Sequence, residues 1–203
     1  MRPINVGLLG IGTVGGGTWE VLGRNADEIR RRAGRAIRIT RVADKALSRA
    51  RSIVKGKAKL SADAREVTRA KDIDIVVELI GGTGIARELV LDAIAHGKHV
   101  VTANKALLAH HGNEIFAAAQ KKGVMVAFEA AVAGGVPIIK ALREGLSANR
   151  IEWIAGIING TSNFILSEMR DKGLGFAEVL AEAQRLGYAE ADPTFDVEGV
   201  DAA

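Results

Sequence analysis

Three glycines spaced G-x-G-x-x-G, in Gly10-Ile11-Gly12-Thr13-Val14-Gly15, stand directly behind a short apolar run and open a helical stripe. In that setting each glycine has its own task. Gly10 makes the tight turn, Gly12 lets the backbone approach a pyrophosphate, and Gly15 lets the helix pack closely on the strand. The helix start then offers unpaired N–H groups and a partial positive charge to phosphates. The chemistry implied is dinucleotide binding, set against a merely flexible glycine-rich turn. Further on, Val42-Ala43-Asp44-Lys45 closes what reads as the second strand. An acid at that point holds the adenosine ribose 2′-OH and favours NAD. Lys45, Arg49 and Arg51 follow at once and suit a 2′-phosphate, which favours NADP. These residues leave NAD and NADP both open.

A second group of residues suits carbonyl chemistry. Thr102-Ala103-Asn104-Lys105 puts a lysine at the carboxyl end of another apolar run, the edge where open α/β sheets bind ligands. Such a lysine donates a hydrogen bond, or a proton, to an oxygen that gains charge as hydride arrives. A solvated surface lysine is the other reading. Ile80-Gly81-Gly82-Thr83 ends the preceding run with residues small enough to let a nicotinamide ribose come close, and Phe128-Glu129 leads into the glycine-rich Val132–Val136. His96, His99, His110 and His111 show no metal-ligand spacing and read as helix-end and surface residues. The absence of cysteine excludes disulfide scaffolds, cysteine nucleophiles and cysteine-based zinc sites.

The elements that must position these residues alternate between strand and helix. Ile4–Leu9, Ile37–Ala43, Ile73–Ile80, His99–Thr102 and Val124–Phe128 read as strands, apolar enough to be buried on both faces of a parallel sheet. Between them lie one long helix from Val14 to the arginines before Gly34, a helix over Ile85–His96 and another around Glu114–Lys121. The fold class is therefore α/β, a Rossmann-type doubly wound parallel sheet. Pro137 suits the first position of a helix running to about Leu146. Ile151–Ile158 reads as a longer strand, followed by helices near Asn163–Asp171 and Phe176–Leu186. The expected domains are residues 1–135 and an incomplete second domain over 136–203. One strand and two helices cannot close a core of their own, so the sequence reads as a fragment cut inside a helix.

Composition bounds the alternatives. The 203 residues are 48% hydrophobic and 26% charged, with a formal net charge of +4, which excludes a disordered chain. No apolar run is long enough to span a bilayer, and no signal peptide opens the chain, so a cytoplasmic protein without a membrane partner is expected. Residues 24–59 carry 13 basic against 3 acidic residues. That stretch is a solvated face or an anion-binding one. It contains no aromatic residue to stack on bases, so no nucleic-acid partner is expected.

Taken together the motifs resemble homoserine dehydrogenase. They are Gly7–Gly17 (GLLGIGTVGGG), Val76–Gly82 (VVELIGG), Val100–Ala109 (VVTANKALLA), Gly156–Leu166 (GIINGTSNFIL), and a signature from Ala183 through Gly187-Tyr188-Ala189-Glu190-Ala191-Asp192-Pro193 to Asp196, Gly199 and Asp201. The resemblance implies NAD(P)-dependent interconversion of L-aspartate 4-semialdehyde and L-homoserine, in threonine, methionine and isoleucine biosynthesis. It also implies that the second domain is part of an α+β substrate-binding and dimerisation domain, in an enzyme that is a homodimer at full length. Thr13, Val14 and Thr83 match cofactor contacts, and Gly187 a backbone contact to the cofactor. Lys105 matches the lysine at the nicotinamide and substrate. Glu190 and Asp201 match acids that bind the substrate, and Glu129, Val132, Gly134 and Val136 match a monovalent-cation site, often sodium, made mostly of main-chain carbonyls. Asp192, Asp196 and Glu198 are expected to form a solvated loop. The family signature continues past Asp201 to a lysine, its expected proton donor, and here two residues follow Asp201. These residues alone are thus expected to bind cofactor and turn over little. The competing readings are another Rossmann dehydrogenase of sugars or amino acids, which the signature opposes, and a non-catalytic dinucleotide-sensing regulator.

Overall fold

In the computed structural model, which describes residues 2–189 and 192–202, the chain divides between Ser147 and Ala148 into two compact units. In the first, six parallel strands form one sheet: β1 (Ile4–Leu9), β2 (Ile37–Ala43), β3 (Lys59–Ser61), β4 (Ile75–Glu78), β5 (His99–Thr102) and β6 (Val126–Ala127). They lie in the order β3-β2-β1-β4-β5-β6, with every described pair parallel. This is the doubly wound order, which reverses between β1 and β4 and opens a crevice at the carboxyl ends of those strands.

Helices cover both faces, because side chains alternate along each strand. On β4, Val76 packs with Leu89, Ile94, Val100, Leu107 and Ile115 on one side. Val77 packs with Val6, Leu8, Val42 and Val54 on the other. The covering helices are α1 (Thr13–Arg24), α2 (Ala26–Ala33), α3 (Leu47–Val54), α4 (Arg65–Thr68), α5 (Ile85–Ala95) and α6 (Lys105–Lys122). A short helix α7 (Ile138–Lys140) continues as a wider π-type turn over Ala141–Gly145.

Several expectations are corrected. The single long first helix is two, α1 and α2, with Asn25 closing the first through its N–H to the Val21 carbonyl and opening the second. One apolar stripe runs across the break, which hides it from periodicity. β3, α3 and α4 were not expected. β3 is three residues at the sheet edge, too short to show alternation, and its lysine suits an edge. β4 is shorter than Ile73–Ile80, since Ile80 and Gly81 turn back onto Glu78. Helix α6 starts at Lys105, far ahead of Glu114.

In the second unit, α8 (Gly160–Lys172) and α9 (Phe176–Leu186) gather around Ile165, Val179, Ala183 and Ala189, and a short α10 (Thr194–Val197) follows. The strand expected at Ile151–Ile158 does not form. No strand lies beside that segment among the described residues, so its ladder has nothing to pair with, and Trp153 and Ile157 are each 78% exposed.

Salt links fasten the amino-terminal edge of the sheet. Arg2 pairs with Asp74 at 2.6 Å, Arg41 with Asp72 at 2.9 Å, and the buried Lys98 donates to the Ile73 carbonyl at 2.7 Å. Burial raises the Asp74 carboxyl, but the Asn5 N–H and the Arg2 guanidinium outweigh it, so the group sits below its ordinary value. Asp92 is likewise raised by burial and lowered, on balance, by Arg69 and Thr68. Both folded values lie below the unfolded ones. Their stabilisation is therefore complete above the ordinary carboxylate value, about 4, and is lost as pH falls through the folded values. We predict a Tm that is flat between about pH 7 and 5 and drops below about pH 4, with Asp74→Asn lowering the neutral plateau and flattening the acid limb. Thermal scans across pH check this, and an unchanged acid limb in Asp74→Asn contradicts it.

Candidate functional site

Because the strands are parallel, the residues that follow β1, β2, β4 and β5 meet at one edge. The turn after β1 is tied to β2 by the Gly10 N–H, which donates to the Ala43 carbonyl at 2.9 Å. Gly10 has φ +87°, and a Cβ there would come within 2.7 Å of the Leu79 carbonyl oxygen. A Cβ on Gly15 would come within 2.1 Å of the Gly10 carbonyl oxygen, whereas one on Gly12 would meet nothing within 4 Å. Two of the motif glycines thus serve packing, and the third keeps ground open. Gly12 is also the N-cap of α1 and brings no side chain to cap its first-turn N–H groups. Open space at an uncapped helix start is what a pyrophosphate requires. Thr13 and Val14 occupy that first turn, and Val14 is 60% exposed.

A cleft of about 440 Å³ adjoins the turn, lined by Gly10, Gly12, Asp44, Lys45, Arg65 and Ile80 among others. Another hollow of similar size, lined by Arg30, Arg35 and Arg38, lies at the amino-terminal edge, where α/β sheets do not bind their ligands. In the cleft Asp44 accepts from the Ile11 N–H and the Ala46 N–H, each at 2.7 Å. A carboxylate has about four acceptor positions, so capacity remains for a ribose hydroxyl. Lys45 lines the cleft, while Arg49 sits exposed on α3, outside the lining. Arg65, at the start of α4, lines it in addition and pairs with Glu88 at 3.0 Å. Sequence reading missed Arg65 because a four-residue helix carries no periodic signal.

The ends of β4 and β5 are joined by polar groups. Glu78 is wholly buried. Its Oε1 accepts from the Ile80 N–H at 2.8 Å and the Gly81 N–H at 3.1 Å, and its Oε2 accepts from the Thr102 hydroxyl at 2.7 Å. Thr102 Oγ1 in turn accepts from the Asn104 N–H at 3.0 Å, and Asn104 Nδ2 donates to the Gly82 carbonyl at 2.7 Å. Asn104 Oδ1 caps α6 by accepting from the Leu107 N–H at 3.0 Å. Thr83 follows this turn, half-buried. Lys105 is the first residue of α6 and is exposed. A cation at a helix N-terminus opposes the helix dipole, so helix stability does not account for it. Glu78 stood inside an apolar run, and nothing in the sequence marked it as more than a strand residue.

The segment Glu129–Val136 bends twice through left-handed backbone, at Ala133 (φ +47°) and Gly135 (φ +93°). The Glu129 carboxylate caps the following helix, accepting from the Ile139 and Lys140 N–H groups at 3.0 Å each. The Val136 carbonyl accepts from the Ile138 N–H at 2.8 Å. No cluster of three or more His, Asp or Glu side chains suited to a metal occurs among the described residues.

In the second unit, Gly187 ends α9 in left-handed backbone (φ +79°). Asp201 Oδ2 and Asp196 Oδ1 both accept from Asn159 Nδ2, at 2.9 and 2.7 Å. The solvated-loop expectation is thereby corrected for Asp196, which is half-buried and bonded. Glu190 lies outside the described residues.

The chain matches two family profiles, "Homoserine dehydrogenase, NAD binding domain" over residues 10–129 and "Homoserine dehydrogenase" over residues 137–203. It is 66% identical to a homoserine dehydrogenase of Pseudomonas aeruginosa across all 203 residues, which is 46% of that protein. Among solved structures, a homoserine dehydrogenase from Thiobacillus denitrificans superposes with a TM-score of 0.91 at 71% identity, covering all of this chain and 47% of the other. A hyperthermophilic archaeal homoserine dehydrogenase in complex with NADPH superposes at 0.81 with 27% identity, over 99% of this chain and 66% of the other. The chain therefore spans about half the length of the curated relatives it matches. No helix among the described residues is long and apolar enough to cross a membrane.

The glycine geometry separates packing from binding. We predict that Gly15→Ala lowers stability by about 1–3 kcal/mol through overpacking. Gly12→Val meets open ground and costs only about 0.5–1 kcal/mol as a poorer cap, yet abolishes dinucleotide binding by calorimetry. Unchanged affinity in Gly12→Val would remove the pyrophosphate from this turn.

Proposed function

The chain belongs to the homoserine dehydrogenase family, and we propose that it supplies the dinucleotide-binding part of an enzyme that interconverts L-homoserine and L-aspartate 4-semialdehyde with NAD(P)(H). One observation carries the reading: the ground kept open by Gly12 at an uncapped helix start, on the same sheet edge as Lys105.

On this reading the first-turn N–H groups at Thr13 and Val14 hold the pyrophosphate, with Gly10 and Gly15 shaping the turn. Asp44 takes the adenosine ribose, and Lys45 a 2′-phosphate where one is present, with Arg49 as a more distant cation. Thr83 and the turn before it face the nicotinamide end, and Gly187 adds a backbone contact. When bound, the reduced dinucleotide supplies hydride to the aldehyde carbon. Lys105 donates a hydrogen bond to the carbonyl oxygen as it takes negative charge, and the lysine that the family signature places past Asp201 would supply the proton that completes the alcohol. Glu190 and Asp201 receive the substrate's ammonium, a contact made in ground and transition states alike. Main-chain oxygens of Glu129, Val132, Gly134 and Val136 suit a hard monovalent cation such as sodium, since a twice-bent loop can turn several carbonyls inward. The working enzyme would be a cytoplasmic homodimer, which light scattering of the full-length protein checks.

One steady-state assay of homoserine oxidation, in a chain extended to its relatives' length, tests these roles together. Lys105→Ala should lower kcat/KM by roughly 10²–10⁴, the range for losing an acid–base group. Glu190→Ala should act mainly on KM. Lys45→Ala should weaken NADP more than NAD, by about 1–3 kcal/mol for a lost charged hydrogen bond. Replacing sodium with tetramethylammonium should reduce the rate, and an unchanged rate would remove the cation from this loop. Full activity in Lys105→Ala would overturn the division of roles.

A further inference from the structure

Strands buried on both faces are built from apolar residues, and β4 obeys this until its last position. There Glu78 is completely buried, in a place where an ionised carboxylate is costly unless donors surround it. A well-packed apolar residue of similar volume is commonly as stable in such a position. Stability alone is therefore a poor reason for a carboxylate here. What the carboxylate does, and an apolar residue would not, is hold two neighbouring segments in one register.

Its hydrogen bonds form a ring. One side runs from Oε1 to the Ile80 and Gly81 N–H groups, and the other from Oε2 to the Thr102 hydroxyl. The ring closes through Asn104, whose N–H reaches Thr102 and whose side chain reaches the Gly82 carbonyl. Thr102 Oγ1 accepts from the Asn104 N–H and donates its own proton to Glu78 Oε2. Asn104 then sets the start of α6 by capping Leu107, and Lys105 is the next residue along the backbone. The turn at Ile80–Gly82 and the backbone of Lys105 consequently share one anchor.

We propose that Glu78 is a positioning residue, which acts through Thr102 and Asn104 to fix the spacing between the Ile80–Gly82 turn and Lys105. The proposal rests on the reading above in one respect, that the turn faces the nicotinamide and Lys105 the reacting oxygen. Displacing a reacting group by about 1 Å can cost on the order of 10²-fold in rate. A buried ring that removes this freedom therefore has a kinetic role beyond its stabilising one.

Two near-isosteric variants alter the ring where Glu78 meets Thr102. Glu78→Gln keeps an acceptor for the Ile80 and Gly81 N–H groups but turns an NH₂ toward Thr102, so that bond can form only reversed, into the second lone pair of Thr102 Oγ1, and the hydroxyl proton loses its acceptor. Thr102→Val removes that bond from the other side together with the acceptor of the Asn104 N–H, and Thr102→Ser retains both. In the extended enzyme, Glu78→Gln and Thr102→Val should each lower kcat about tenfold or more. The NADPH dissociation constant, measured by calorimetry without substrate, should stay within about threefold, and Thr102→Ser should behave like the wild type. Because both variants act on the bond between Glu78 and Thr102, the double variant should cost less than the sum of the two. Amide exchange over residues 104–107 should accelerate in both variants while Ile80 and Gly81 stay protected in Glu78→Gln. Losses that are additive, or that fall equally on kcat and NADPH affinity with the Ser variant failing too, would mean a general loosening and overturn the proposal. A wild-type enzyme inert toward homoserine would sink the activity reading alone. The exchange comparison would still decide this one, since unchanged exchange at 104–107 would refute the shared anchor.

Discussion

The approach of α1 to the end of β1 is the constraint on which the site depends. At 2.1 Å from the Gly10 carbonyl oxygen, the place where a Gly15 side chain would begin is already taken. The helix can lie this close only because Gly15 has no Cβ, and the turn can bend this sharply only because Gly10 tolerates φ +87°. With the helix so placed, its first N–H groups come to the edge where the parallel strands end. Gly12 then keeps the space in front of them open. Overpacking at Gly10 or Gly15 would therefore disturb the fold, and a side chain at Gly12 would disturb only what is bound.

Polar ties hold the two edges of the sheet for different reasons. At the amino-terminal edge the links of Arg2 and Lys98 to Asp74 and the Ile73 carbonyl fasten strand starts, and Arg41, within β2, reaches Asp72 ahead of β4. At the carboxyl edge Asp44 binds the glycine turn to the end of β2, and the ring around Glu78 binds the end of β4 to the start of α6. Those ties fix loops, the segments that otherwise move most. Loops anchored by buried polar bonds to rigid strands are how an α/β sheet gives its site a definite geometry.

Much of this was legible in the residues. Strand–GxGxxG–helix order located the turn, and long apolar runs located β1, β2, β4 and β5, because burial on both faces leaves a strong signal. Family motifs pointed to Thr13, Val14, Thr83 and Lys105, which the fold places at the start of α1, after β4 and at the start of α6. What stayed hidden has physical causes. β3 is too short for alternation, and the apolar stripe continues across the break at Asn25. Glu78 reads as one polar residue in a strand until its donors are seen. Arg65 reaches the cleft only through the packing of a four-residue helix. The segment Ile151–Ile158 failed in the opposite sense: its residues are those of a strand, but strand formation needs a neighbour, and β-propensity cannot supply one.

A crystal structure of the protein with NADPH bound would decide whether the open ground at Gly12 and the lysine of α6 belong to one dinucleotide site. The pyrophosphate should lie over Gly12 against the first-turn N–H groups of α1, the adenosine ribose beside Asp44 and Lys45, and the nicotinamide between the Ile80–Thr83 turn and Lys105. A dinucleotide lying in reversed orientation, or seated among Arg30, Arg35 and Arg38 at the other edge of the sheet, would contradict it.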